Sequence, residues 1–231
     1  MLDIASNLGC LRNRIDSIAR SCGRRPESID LLAVSKTFPA DAVEQAYRVG
    51  QTSFGENKVQ EARLKIPALG TRQIQWHLIG NLQLNKVRKA VELFDVIHTL
   101  DREQLVLKVA RCAEELGKKV AVYIQVNVGK EDQKHGIEPG AVMELVTLVD
   151  HQPSLGLLGL MAIPPQQKDP EGSRPYFKEL AALMTDVNGG RARPLTRLSM
   201  GMSHDYSVAI EEGSTLLRIG SAIFGPRAPV V

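Results

Sequence analysis

Eight strand-like segments alternate with helix-like segments along this chain of 231 residues. Each strand-like segment is a short apolar run rich in Leu, Ile and Val, which is typical of a parallel strand buried on both faces. Alternation of this kind without an obvious linker predicts one α/β domain over residues 1–231, a (β/α)8 (TIM) barrel, with a doubly wound open sheet as the alternative. The predicted strands cover residues 30–36, 52–57, 75–80, 96–100, 120–128, 156–163, 197–202 and 216–224.

An additional helix is predicted before the first strand, within residues 1–25. Leu8, Leu11, Ile15 and Ile18 recur at helical spacing, with Arg and Asp between them. A glycine and a proline then end the pattern. No helix is predicted after the last strand, so we expect the N-terminal helix to supply the missing cover.

Composition and charge argue against several classes of protein. The formal net charge is +3 with acidic and basic residues interspersed, so neither nucleic acid nor a membrane is an expected partner. Cys10, Cys22 and Cys112 are widely spaced, which predicts reduced thiols rather than a zinc site or a disulfide framework. The chain has neither a spanning apolar stretch of roughly 18 residues nor a signal-peptide pattern. These features predict a soluble cytoplasmic protein without a metal site.

Lys36 lies at the tip of the first predicted strand, just before Thr37-Phe38-Pro39. A barrel of this type carries its chemistry at the carboxyl ends of its strands. A desolvated lysine amine there can lose its proton near neutral pH and attack a carbonyl carbon to form a Schiff base. The alternative is a lysine whose ammonium group simply reaches solvent.

Small residues follow the seventh and eighth predicted strands, where such barrels commonly bind phosphate. Ser203, Gly220 and Ser221 could bring hydroxyl and backbone N–H groups close to phosphate oxygens. An imine-forming lysine and a phosphate site at the same mouth suggest pyridoxal 5'-phosphate (PLP), which carries both an aldehyde and a phosphate. Ordinary turn chemistry would also explain the small residues.

Three residues within or after the predicted strands could each have one of two roles. Arg218 interrupts an apolar strand and needs a buried partner, either the pyridine nitrogen of a cofactor or a carboxylate such as Glu56. Asn57 could bond to the cofactor ring or cap the next helix. His77 could contact the ring or pack in the core.

A charged segment, residues 130–136, follows the fifth predicted strand. It contains Glu131, Asp132, Lys134 and His135. These charges suit a mobile loop over the barrel mouth, and a structural turn would account for them equally well.

Six short motifs span nearly the whole chain: Leu32-Ala33-Val34-Ser35-Lys36, Phe54-Gly55-Glu56-Asn57, Trp76-His77-Leu78-Ile79-Gly80, Gly159-Leu160-Met161, Leu198-Ser199-Met200-Gly201-Met202-Ser203 and Arg218-Ile219-Gly220-Ser221. Together, and in this order, they closely resemble the pyridoxal phosphate homeostasis protein family, which is related to the N-terminal barrel of bacterial alanine racemase. The resemblance implies that Lys36 carries PLP as an internal aldimine and that Arg218 faces its pyridine nitrogen. It implies that Ser203, Gly220 and Ser221 hold the phosphate. It also implies that Asn57, His77 and Met200 line the cofactor pocket.

The same resemblance favours binding over catalysis. A racemase needs a base on each face of the substrate α-carbon, and alanine racemases take the second, a tyrosine, from a further C-terminal domain. The sequence after Phe224-Gly225-Pro226 leaves no room for that domain. Arg218 also stays protonated, so it will not readily protonate the pyridine nitrogen, and carbanion chemistry is less favoured.

We therefore expect a monomeric PLP-binding protein that buffers or delivers PLP in vitamin B6 and amino-acid homeostasis. Apo forms of PLP-dependent enzymes would be the acceptors. A weak PLP-dependent amino-acid racemase is one alternative. The other is an aldolase-type barrel whose lysine attacks a sugar phosphate without a cofactor.

Overall fold

Eight parallel strands form a closed barrel in sequence order within residues 3–70, 72–129 and 135–226, which the computed structural model describes. The barrel closes where β1 pairs with β8, from Asp30 opposite Leu216 to Ala33 opposite Ile219. The predicted (β/α)8 barrel is confirmed, and the open sheet is wrong. The strands are β1 Asp30–Val34, β2 Ser53–Glu56, β3 Gln75–Leu78, β4 Val96–Leu100, β5 Val120–Val126, β6 Leu155–Ala162, β7 Arg197–Ser199 and β8 Leu216–Ile219.

Helices surround the barrel and bury one face each. In α5, which spans Glu103–Glu115, Leu105, Val106 and Val109 are fully buried while the residues between them face outward, which is the pattern of an amphipathic helix. No helix in the described ranges is long and apolar enough to cross a membrane. The α-helices are α1 Ile4–Ser21, α2 Ala40–Arg48, α3 Val59–Ala68, α4 Val87–Leu93, α5 Glu103–Glu115, α6 Val142–Asp150, α7 Arg174–Asn188, α8 Tyr206–Glu211 and α9 Ser221–Phe224.

The predicted N-terminal helix is confirmed as α1, which packs against α2, α8 and α9. Its Asn7 side chain donates to the carbonyl of Ile223 at 2.9 Å. The expectation that no helix follows the last strand is wrong. The strand ends at Ile219, and the N–H groups of Ile223 and Phe224 donate to the carbonyl of Gly220 to form the short α9. Because α9 has one turn only, α1 still shields most of the barrel wall between β8 and β1 from solvent.

Side chains on alternate strand positions form two separate sets, as the two-residue period of a strand requires. One set packs under the helices as a continuous apolar core. The other fills the barrel interior, with an apolar group that comprises Leu32, Val34, Ile79, Val96, Tyr123, Met161 and Leu216. Buried polar residues accompany this inner group, and they are described with the site. Of the charged segment after β5, residues 130–134 lie outside the described residues.

Candidate functional site

A cavity of about 230 Å³ opens at the carboxyl ends of the strands. Six of the eight predicted site residues share it: Lys36, Asn57, Ser203, Arg218, Gly220 and Ser221. A larger cavity of about 870 Å³ adjoins it, and Ile163, Met202 and His204 line both. The complete lining of the smaller cavity is Val34, Lys36, Asn57, Ile79, Ile163, Met202, Ser203, His204, Arg218, Gly220 and Ser221.

Lys36 is half-buried and lies two residues beyond the end of β1. The N–H of Ser35 still donates to the carbonyl of Gly55, so the chain continues along β2 for one more residue. It then turns sharply, and the N–H of Phe38 donates to the carbonyl of Ser35 at 3.1 Å. Within this turn Thr37 has a φ of 70°. Lys36 is therefore placed at the mouth by a tight turn rather than by the strand itself.

Ser203, Gly220 and Ser221 lie together where the loops after β7 and β8 meet. The Ser203 hydroxyl accepts from the N–H of Ala222 at 3.4 Å, which links the two loops. A Cβ atom at position 220 would come within 3.1 Å of the carbonyl oxygen of Val34. The missing side chain thus lets the β8 loop approach the end of β1. Hydroxyl groups and a close backbone are the features expected of a phosphate site.

Arg218 is 3% exposed and is anchored on two sides inside the barrel. Its Nη1 donates to Ser199 Oγ at 2.7 Å, and its Nη2 donates to the carbonyl of Ala162 at 2.8 Å. A guanidinium has five N–H donors, so these bonds leave donors for a ligand in the cavity. Burial lowers the pKa of Arg218 to about 10, which still leaves it charged at neutral pH.

The suggested pairing of Arg218 with Glu56 is wrong. The Glu56 carboxylate accepts from Lys65 at 2.6 Å, in a buried ion pair between β2 and α3. Gly55 packs against Leu32 and Ile79 of the inner group, so its neighbour Glu56 points to the opposite side of the barrel wall. Arg218 and Glu56 therefore face different sides of the sheet.

A line of hydrogen bonds crosses the barrel interior behind Arg218. His98 Nδ1 lies 3.1 Å from Ser199 Oγ, and His98 Nε2 lies 2.9 Å from His77 Nδ1. His77 Nε2 lies 3.0 Å from Gln75 Oε1. The His98 ring also stacks on Tyr123, with ring centroids 4.4 Å apart. We call Arg218, Ser199, His98, His77 and Gln75 the inner relay.

The chemistry of the donors fixes the direction of the inner relay. Gln75 Oε1 can only accept, so His77 donates to it from Nε2 and accepts at Nδ1. The Ser199 hydroxyl, whose oxygen accepts from Arg218, then donates to His98 Nδ1. His98 then carries its proton on Nε2 and donates to His77, which donates to Gln75. Burial lowers the pKa of His77 to about 3. Burial, with the nearby His77 and Arg218, also holds the pKa of His98 well below its ordinary value. Both histidines are therefore neutral at pH 7.

Two predicted pocket residues do not line the cavity within the described part of the chain. His77 reaches Arg218 only through His98 and Ser199. Met200 is fully buried in the core beneath the helices. Sequence reasoning also missed His98 and Ser199. The signal available for His98 was a second histidine inside an otherwise apolar predicted strand, next to the strand that carries His77.

Comparisons with known proteins agree along the whole chain. A family model for the alanine racemase N-terminal domain matches residues 6–228. The pyridoxal phosphate homeostasis protein of Vibrio alginolyticus is 42% identical over 231 residues, covering 98% of this chain and 99% of the relative. The solved structure of PipY from Synechococcus elongatus PCC7942 without PLP has a TM-score of 0.88 and 36% identity, and it covers 96% of this chain and 100% of PipY. PipY with PLP bound gives a TM-score of 0.85 at the same identity and coverage.

Proposed function

The chain belongs to the pyridoxal phosphate homeostasis protein family, and from this premise we propose that it binds PLP at the barrel mouth and buffers or delivers it. The observation that carries the proposal is the single cavity that holds Lys36, Arg218 and the two hydroxyl-bearing loops. Support also comes from PipY, which is 36% identical and has been solved with PLP bound.

The side chains in the cavity fit the functional groups of PLP. Lys36 would hold the aldehyde as a Schiff base, and Ser203, Gly220 and Ser221 would hold the phosphate. Arg218 would donate to the ring nitrogen through an N–H group that has no partner among the described residues, and Asn57 would bond to the ring. When bound, PLP supplies an aldehyde that condenses with amines and a ring that can withdraw electrons.

Two features of the interior favour a carrier over a racemase. Arg218 holds its charge and is backed by neutral histidines, so the site offers a hydrogen-bond donor but no ready acid for the ring nitrogen. In addition, no tyrosine is among the residues described around the cavity. Tyr123, the tyrosine inside the barrel, is stacked on His98, and burial raises its pKa to about 12. It is therefore a poor base at neutral pH.

We expect borohydride treatment of the PLP-loaded protein to fix the ligand on Lys36. Reduction converts the C=N bond into a stable C–N bond, so peptide mass mapping can locate it. Lys36→Ala should lose the adduct and the visible absorbance completely. The exposed Lys58, close to the site in sequence, provides a matched control, and Lys58→Ala should keep both. An adduct found on another lysine of the parent protein would overturn the assignment.

We also expect cofactor transfer to exceed racemisation. The same loaded preparation should activate the apo form of a PLP-dependent enzyme, whereas alanine racemisation should be weaker by several orders of magnitude than in a true racemase. The reason is that no tyrosine is described at the cavity to act as the second base, and a positioned acid–base group contributes about 10²–10⁴-fold. Racemisation at an ordinary enzymatic rate of roughly 1–10³ per second, without cofactor transfer, would contradict the carrier proposal and show that the protein is a racemase.

A further inference from the structure

A buried lysine lies behind the turn that carries Lys36. Lys65 on α3 is 6% exposed, and its Nζ donates to three oxygen atoms. These are the carbonyl of Ser35 at 2.8 Å, Glu56 Oε1 at 2.6 Å and Glu61 Oε1 at 3.0 Å. An ammonium group has three N–H donors, so all of them are used. We call Lys65, Glu56 and Glu61 the Lys65 cluster.

The Lys65 cluster holds the residues on both sides of Lys36. The Ser35 hydroxyl donates to Glu56 Oε1 at 2.6 Å, and the N–H of Thr37 donates to Glu61 Oε1 at 2.6 Å. Each neighbour of Lys36 is thus bonded to a carboxylate that Lys65 also holds. The backbone on either side of the Lys36 side chain is fixed from the helix side of the barrel wall.

Thr37 needs this support because its backbone is strained. Its φ of 70° lies in the left-handed region, and no other described non-glycine residue has a positive φ. A β-branched side chain is unfavourable there, and such conformations, which cost of order 1–3 kcal/mol, persist only where the surroundings hold them. Without the bond to Glu61, the turn would relax toward an ordinary backbone conformation and re-aim Lys36.

Stability alone does not explain the Lys65 cluster. Glu56 is fully buried, and its Oε2 has no hydrogen-bond partner among the described residues. An unsatisfied buried oxygen costs about 1–3 kcal/mol, and buried ion pairs are often no more stable than apolar residues of the same volume. A cluster that combines an unpaired oxygen, a buried charge and a strained turn is best explained by what it positions.

We propose that Lys65, acting through Glu56 and Glu61, is a positioning residue that aims the Lys36 amine at the aldehyde carbon of the ligand. The proposal rests on the proposed function. In the dependent step, the Lys36 nitrogen forms a C=N bond to the aldehyde carbon, and the aldehyde oxygen leaves as water without oxidation or reduction. Lys65 takes no part in that bond, because its three donors are used and it does not line the described cavity.

The test separates placement of Lys36 from binding of the rest of the ligand. Two ligands are compared: PLP, which can react with Lys36, and pyridoxamine 5'-phosphate, which has the same ring and phosphate but no aldehyde. The main variant is Glu61→Ala, because Glu61 is about a quarter exposed and its loss leaves Lys65 paired with Glu56. Glu144→Ala is the matched control, since Glu144 is also the third residue of its helix, α6, and is exposed.

Glu61→Ala should slow formation of the PLP adduct at least ten-fold, because small displacements of a reacting group can cost as much as about 10²-fold. Its affinity for pyridoxamine 5'-phosphate should stay within about two-fold of the parent value. Glu61→Gln, which keeps the acceptor oxygen, and Glu144→Ala should both react like the parent. Adding Thr37→Asn to Glu61→Ala should recover much of the rate, since Asn tolerates the left-handed region better than Thr.

Three outcomes would overturn the proposal. In the first, Glu61→Ala forms the adduct at the parent rate. In the second, both ligands weaken equally, which would indicate a general structural role. In the third, the parent protein itself forms no adduct on Lys36, and the proposed function then fails as well. Lys65→Met serves as a second variant where it folds, and it should show the same split between the two ligands.

Discussion

Replacing Gly159 with alanine is expected to remove a large part of the free energy of unfolding at 25 °C. Gly159 lies in β6 opposite Arg197 of β7. An added Cβ atom would overlap the carbonyl oxygen of Arg197. The same Cβ atom would lie 2.7 Å from the carbonyl carbon of Arg197 and 2.9 Å from Met184 Cε. The obstacle is mainly backbone, so it cannot be relieved by a rotamer change. In a closed barrel, β7 cannot move away without also losing its register with β8.

We expect a loss in the free energy of unfolding of about 4 kcal/mol or more, which is exceptional for one substitution and close to the whole stability of many domains. Urea unfolding followed by circular dichroism measures it. Gly156→Ala is the control in the same strand, because its Cβ atom would meet only Lys119 Cε, at 3.8 Å. That variant should unfold within about 1 kcal/mol of the parent. Equal midpoints for the two variants would contradict the packing of β6 against β7.

Lowering the pH from 7 to 5 is expected to reduce the free energy of unfolding by about 4 kcal/mol through His77 and His98. In the unfolded chain a histidine has a pKa of about 6.5, so the unfolded state takes up protons first. Burial holds the pKa of His77 in the folded state at about 3 and that of His98 well below its ordinary value. The contribution of the two neutral histidines to the free energy of unfolding is therefore fully present above pH 6.5. It is lost as the pH falls below that value, by about 1.4 kcal/mol per pH unit for each histidine.

The inner relay explains why neither histidine can accept a second proton in place. A second proton would make His98 Nδ1 a donor, so it could no longer accept from the Ser199 hydroxyl, and it would place a charge close to Arg218. A second proton on His77 Nδ1 would meet the Nε2 proton of His98. Urea unfolding of the parent, His77→Gln and His98→Gln at pH 7, 6 and 5 tests this. Each substitution should remove about half of the pH dependence. Glu56 acts in the opposite direction, because burial raises its pKa, and the comparison between variants cancels its contribution. An unchanged pH dependence in a variant that carries both His77→Gln and His98→Gln would contradict neutral histidines.

The strands could be predicted from the sequence because their apolar runs follow the barrel wall, but most of their carboxyl ends could not. Only the fourth strand, Val96–Leu100, matches the prediction at both ends. The first and seventh were predicted to reach residues 36 and 202, and they end at Val34 and Ser199. The cause is burial at the mouth: residues beyond the strands, such as Met200, remain fully buried, so the apolar pattern continues past the last ladder bond.

The site was predictable to the extent that it depends on strand order. Parallel strands bring their carboxyl ends together, so Lys36, Arg218 and the residues near position 220 had to meet once a barrel was inferred. The two-residue period of a strand places Ser199 inside the barrel and its neighbour Met200 outside, and motif position alone did not distinguish them. The Lys65 cluster could not be predicted, because it depends on how α3 is rotated against the ends of β1 and β2.

The pairing of β1 with β8 has a consequence for biosynthesis of the chain. The segment that bears Lys36 leaves the ribosome early, but its β8 partner begins only at Leu216. At about 5–20 residues per second, the chain between them takes about 10–40 s to make. During that interval the edge of β1 that later meets β8 has no partner, and an open strand edge is a site for pairing with other chains. Nascent chains held close together on one mRNA, or a ribosome that pauses before β8 is synthesised, would therefore favour aggregation over cofactor uptake.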